Sequence, residues 1–341
     1  MGACLDQLEP LPAGANFGVV YFADPLAPMA DDIVWALRER TGVRQWLGAC
    51  GGGVLGGPSG ACDNGLAVLV VELPDGEFRV LPSAPAPPDR YGLLLAHAEL
   101  GDTAPPAPLA ELAGHGAGMV VGGLTAAGRS PVQIAGAVMG GAAACVGFGE
   151  ALPVLAGIAT AGSPLGPAHR VTSALGGEIL ALDGRPALQV MGDELGDLFR
   201  HAAERFAPNL WLAERSASPA GAEALRMRRV AAVDRERGAL RLEGGRLGPE
   251  VRLMRPDPAA SLARLGDLAR AMRARLEDRP AAAGVYLSSR HRGAGLFGPG
   301  VDEIAVLRQE LGQIPLIGLV TDAEIFDGAV HEGAGVLVLI G

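Results

Sequence analysis

The chain has 341 residues and a formal net charge of −10, and 49% of its residues are hydrophobic, enough for two domain cores. All 28 basic residues are Arg, which excludes a Schiff-base lysine and a Walker A phosphate loop. An acidic chain without a basic block also argues against nucleic-acid and anionic-membrane binding.

Residues 1–14 read as a flexible lead-in, with neither the basic start nor the apolar run of a secretory signal. NFGVVYFAD, residues 16–24, reads as a buried strand, and Asp31 opens a helix to about Thr41. Strands are expected at 44–49, 65–73 and 77–81, with a Gly-rich loop after the first of them. The Pro- and Ala-rich stretch 82–116 is assigned helices around 91–99 and 109–113. From residue 119 to 182, short apolar runs recur about every ten residues between turn residues, the pattern of an antiparallel meander. Asp183-Gly184 reads as a turn, and Pro186 starts a helix to about Phe206. Four further strands and a helix over 259–276 lead to the closing segment, Gly284–Gly341.

The expected fold class is α/β (α+β). It comprises two domains, 15–206 and 207–341, of mixed, largely antiparallel sheets flanked by helices. A helix–strand–turn–strand unit occurs twice, at Asp32–Leu73 and Glu303–Ile340. Gly48 aligns with Gly318, Gly53 with Ala323, Val54 with Glu324, and Leu55 with Ile325. Apolar runs are of strand length, so no membrane insertion is expected. Cys4, Cys50, Cys62 and Cys145 are scattered, as reduced thiols of a cytoplasmic protein would be.

GGGVLG at 51–56 fits G-x-G-x-x-G, but no helix starts on that loop, so a tight turn is preferred to a dinucleotide site. No zinc spacing and no nucleophile elbow is present. In the closing segment, Arg292 and Glu324 stand at the carboxyl ends of two predicted strands. A guanidinium suits a carboxylate and a carboxylate suits an ammonium, so the pair points to a zwitterion such as an amino acid, or to an ion pair between the two. Backbone amides of Gly48–Gly53 and Gly293–Gly295 are expected to help, with Ser289 and Cys50 nearby. A hydrolase using Ser289, with His291 on the same strand face, or using Cys50 is the enzymatic alternative; binding is preferred to catalysis. Haem binding through His291, His169, His115 or His97 is the cofactor alternative.

The run PLGPAHRVTSALGGEILALDGRPALQV, residues 164–190, resembles the N-terminal domain of the FIST family (F-box and intracellular signal transduction proteins). SSRHRGAGLFG, IPLIGLVTDAEI and GVLVLIG resemble its C-terminal domain, and WLGACGGGVL resembles the first domain's GCSxxGEI turn. Departures are Ser289 for the family cysteine, Ala323 for a glycine, and Ala49 and Val54 for the first turn's Cys and Glu. The resemblance implies a stand-alone bacterial sensor of small ligands that signals through a separate partner. Some members are haem proteins that sense nitric oxide and pair with a histidine kinase.

Overall fold

The computed structural model describes residues 4, 6–8, 10–57, 60–82, 91–100, 118–126, 132–140, 143–217, 223–243, 245–276 and 280–341. The fold is mixed α and β, and one plan is used three times.

Unit one runs β1 (Phe17–Ala23), α1 (Ala30–Thr41), β2 (Gln45–Gly51), a hairpin of β3 (Gly53–Gly57) and β4 (Gly60–Cys62), and β5 (Leu66–Val71), with β6 (Phe78–Pro82) after it. Unit two runs β7 (Leu93–Leu100), β8 (Met119–Ala126), a hairpin of β9 (Val132–Ala135) and β10 (Ala137–Gly140), and β11 (Ala144–Phe148), with β12 (Val154–Thr160) after it. An insertion follows. It holds β13 (Ser163–Leu175), β14 (Glu178–Leu182), β15 (Arg185–Pro186), α2 (Ala187–Leu195), α3 (Asp197–Phe206), β16 (Trp211–Ala217), β17 (Glu223–Asp234), β18 (Ala239–Leu242) and β19 (Glu250–Arg255). Then come α4 (Pro258–Arg275) and unit three: β20 (Ala283–Ser289), α5 (Gly293–Phe297), α6 (Glu303–Leu311), β21 (Leu316–Thr321), a hairpin of β22 (Ala323–Phe326) and β23 (Ala329–His331), and β24 (Ala334–Ile340).

In each unit the first two strands are parallel, and the last returns antiparallel beside the first. Each hairpin leaves its own sheet. β3 pairs with β21, β22 with β8, and β9 with β2, so three sheets exchange hairpins in a ring. The segments expected as two domains therefore contribute strands to common sheets.

The register repeats as well. Gly48, Gly122 and Gly318 are equivalent, opposite Val20, Ala96 and Tyr286 on the parallel neighbour. A Cβ on any of the three would meet that neighbour's carbonyl oxygen well inside van der Waals contact. The sequence repeat thus has a third copy, in unit two, beyond the two singled out from sequence.

The inner faces of the three sheets meet in one core that draws on Phe17, Val19, Leu93, Leu95, Val285 and Leu287. The outer faces of sheets one and three pack under α1 and under α4 and α6. Central strands such as β1 are therefore buried on both faces and read as unbroken apolar runs. In the insertion, β13 pairs with β19 over its first half and with β14 over its second, so the sheet closes into a barrel. Met191 and Phe199, from α2 and α3, join its core.

Three expectations fail. Residues 91–99 do not form a helix, because LLLAHA is the doubly buried strand β7 between β8 and β11. The run 119–182 is not one meander, because its strands are shared among the three sheets and the barrel. The helix after Pro186 breaks at Gly196, which takes φ 82°. The helix expected at 109–113 lies outside the described residues.

Candidate ligand-binding site

The carboxyl ends of the three parallel pairs converge on a cavity of about 290 Å³. Unit one lends Asp24 and Cys50–Gly52, unit two Thr125 and Ala126, and unit three Arg290 and Val320–Asp322. Crevices outside the carboxyl ends of parallel strands are favoured ligand sites, because loops there carry side chains on a rigid frame. Backbone bonds tie the turns together: Gly52 N donates to Val320 O (3.0 Å) and Asp322 N to Leu124 O (2.9 Å). The equivalent third amide, Ala126 N, donates instead to the Asp322 carboxylate (2.6 Å). Arg290 Nη1 stands 2.7 Å from Asp322 Oδ1, and its side chain is 54% exposed. It is a guanidinium whose far edge faces water and whose near edge is fixed.

The residues singled out from sequence fall into two groups. Cys50 lines the cavity, where its thiol donates to Asp24 (3.3 Å). Burial pushes that thiol up to about 12, and the Asp24 hydrogen bond and charge add to it, so it stays protonated. Gly48 and Gly53 lie in β2 and β3, where they serve strand packing. Gly293 opens α5 with φ 56°.

Arg292 and Glu324 do not pair with each other. The Arg292 guanidinium is buried, with Nε 2.7 Å from Glu303 Oε1, Nη1 bonded to Ala159 O (3.3 Å), and its carbon 5.3 Å from the Phe297 ring centroid. Glu303 also accepts from Tyr286 (2.8 Å) and Ser288 (2.7 Å). The sequence carries no spacing that would reveal Glu303 as this partner, because it reads as an ordinary residue of the first helical turn.

Glu324 is fully buried, accepting from Thr321 Oγ1 (2.8 Å) and Ala334 N (3.1 Å). Burial holds its carboxyl well above the usual carboxylate range. The native state therefore keeps a proton that the unfolded chain releases above about pH 4.3. Stability falls as pH rises from there toward the folded value. Glu324→Gln keeps the shape without that proton: its amide oxygen can accept from Ala334 N and its NH2 can donate to Thr321 Oγ1. Urea unfolding at about pH 5 and pH 8 should show the variant gaining on wild type at the higher pH; a gap that does not widen would contradict the buried, protonated state.

Ser289 Oγ accepts from Gly333 N (3.1 Å) and His291 N (3.4 Å). β20 ends at Ser289, so His291 sits in a turn and not on the shared strand face expected for the pair. Its imidazole lies edge-on to Trp211 (5.2 Å between centroids), with Nε2 4.0 Å from Glu243. His169 is clamped between Asp183 and Glu194, at 2.7 Å from each. His97 is buried against the Tyr21 hydroxyl (2.9 Å), and burial lowers it to about 3. His115 lies outside the described residues. Each described histidine of the haem alternative thus has protein neighbours at its ring.

Family comparison covers the frame that carries this geometry: residues 16–185 match the FIST N domain and 187–327 the FIST C domain. The chain belongs to the FIST family. FIST domains are associated with signal transduction and small-ligand sensing. A search of curated proteins finds no match. Among the described residues of this FIST protein, no helix is long and apolar enough to cross a membrane.

Arg290, Asp24, Asp322 and Thr125 were not singled out from sequence. The available signal was the third repeat: VVGGLT at 120–125 aligns with LIGLVT at 316–321, placing Thr125 beside Thr321.

Proposed function

We propose that this FIST protein is a cytoplasmic receptor for a small zwitterionic ligand, an amino acid, and that it signals through a separate partner such as a histidine kinase. One observation carries the reading: the cavity gathers one guanidinium and two carboxylates at the carboxyl ends of the parallel strands. Arg290 offers its exposed edge to a ligand carboxylate, and Asp24 and Asp322 face the ammonium. The volume is near the lower bound of ligand pockets, which suits a molecule of amino-acid size. Arg292 acts from behind, bonded through Glu303 to the segment that presents Arg290. Ser289 and Glu324 fix the turns beneath the cavity.

Isothermal titration with the twenty amino acids should find a one-to-one ligand for the wild type. Arg290→Ala should weaken it by about tenfold or more, the worth of a charge-assisted contact. Equal binding by both proteins would remove Arg290 from the site.

A further inference from the structure

One layer below the cavity, strand register lines up three rows of residues across the inner faces of the sheets. They are Tyr21–Ala49–Gln133, His97–Gly123–Glu324 and Leu287–Leu319–Val54. Two residues further along the second strands, on the same faces, stand Gly51, Thr125 and Thr321, which line the cavity. The third row is apolar and belongs to the central core. The first two rows carry polar groups, and they carry glycine or alanine where the third carries Leu319.

Most of these polar groups are satisfied. Tyr21 bonds His97, and Glu324 bonds Thr321 and the Ala334 amide. His97 keeps an unpartnered Nδ1, and Gln133 has no partner at all. It is completely buried, and both its Nε2 and its Oε1 lack a hydrogen-bond partner. Thr125, 6% exposed on the cavity wall, also has an unpartnered hydroxyl. A buried amide with neither end paired carries a full desolvation penalty, which a ligand group or an ordered water would relieve. Burial disfavours the charged forms in the layer around it, raising Glu324 and lowering His97 to about 3. A neutral group entering there loses less solvation than an ionised one.

We infer that Thr125 and Gln133 are specificity-determining residues that read a neutral carboxamide at the inner end of the ligand. Its carbonyl accepts from Gln133 Nε2, and its NH2 donates to Gln133 Oε1. This deepens the receptor reading and rests on it. The ligand class is an amino acid with a zwitterionic end at Arg290 and an amide side chain.

The test is titration of the full chain with L-glutamine, L-glutamate and the apolar near-isostere L-methionine. Wild type should prefer L-glutamine to either by at least about tenfold, because a site built to hydrogen-bond rejects the analogue that leaves it unpaired. Gln133→Leu should invert the glutamine-to-methionine preference without lowering the melting temperature. Thr125→Val, which removes only the hydroxyl, should narrow that preference; it keeps the test decisive should Gln133→Leu fail to fold. Amino-acid binding with no glutamine preference, or a ratio unmoved in both variants, overturns the inference: a buried water then serves Gln133, and the receptor reading stands. Failure of every amino acid to bind sinks both.

Discussion

Gly122→Ala should not yield a stably folded protein. β7 and β8 are neighbours inside a six-stranded sheet, with β11 and β22 on their far sides. The new Cβ would meet the carbonyl oxygen of Ala96, which is backbone held in a parallel ladder. No flexible side chain can swing aside, so a whole strand must shift. Overpacking a core side chain ordinarily costs about 1–3 kcal/mol, and a clash with backbone on a central strand should reach at least the upper end. That is a large share of the about 5–15 kcal/mol that a folded protein has in total. Gly48→Ala and Gly318→Ala should behave alike, because Val20 O and Tyr286 O stand in the same place. Gly140→Ala, in β10 with open space around its Cβ position, is the control and should be near neutral. Urea unfolding separates the cases. A Gly122→Ala protein within about 1 kcal/mol of wild type would contradict the three-unit register.

Glu303→Leu should be the most damaging single change in the closing unit. Glu303 receives Arg292, Tyr286 and Ser288, and the Arg292 side chain has no exposure to water. Removing the carboxylate strands a buried guanidinium together with two buried hydroxyls. Breaking such a pair from one side costs about 3–5 kcal/mol. The double change Arg292→Met with Glu303→Leu removes both charges and should recover much of that loss, since apolar replacement of a buried pair is often near neutral. Denaturant unfolding of the single and double variants measures the coupling. A double variant as unstable as the sum of the two singles would show that Glu303 is not the partner that holds Arg292.

The apolar runs NFGVVYFAD, GLAVLVVEL and AGVLVLI were legible as strands because doubly covered strands need no alternation. LLLAHAEL was not, because it follows a Pro- and Ala-rich stretch and its burial depends on strands far away in the chain. Two copies of the repeat were visible, since the helix-to-strand spacing is alike in both. The third stayed hidden behind a different sequence between β7 and β8. Without it, neither the ring of exchanged hairpins nor the convergence of three strand pairs could be foreseen. Arg292 stood out because it precedes glycine in a motif, yet Arg290, two residues earlier, is the arginine that faces the cavity. Sequence spacing placed the arginines on the right turn. Which of them turns inward to Glu303 is decided by a helix that packs from outside.

The central claim is that this cavity, built from the ends of three strand pairs, holds the ligand. Its most direct test is a blocking side chain. At Gly52 a Cβ would approach nothing closer than Val320 Cγ1 at 3.6 Å, so a large residue can be built into the cavity without disturbing the backbone. Titration of Gly52→Phe with the amino acid that the wild type binds should show no saturable binding, while the melting temperature of the unliganded variant stays at the wild-type value. Undiminished binding by a folded Gly52→Phe protein would place the ligand elsewhere and contradict the account.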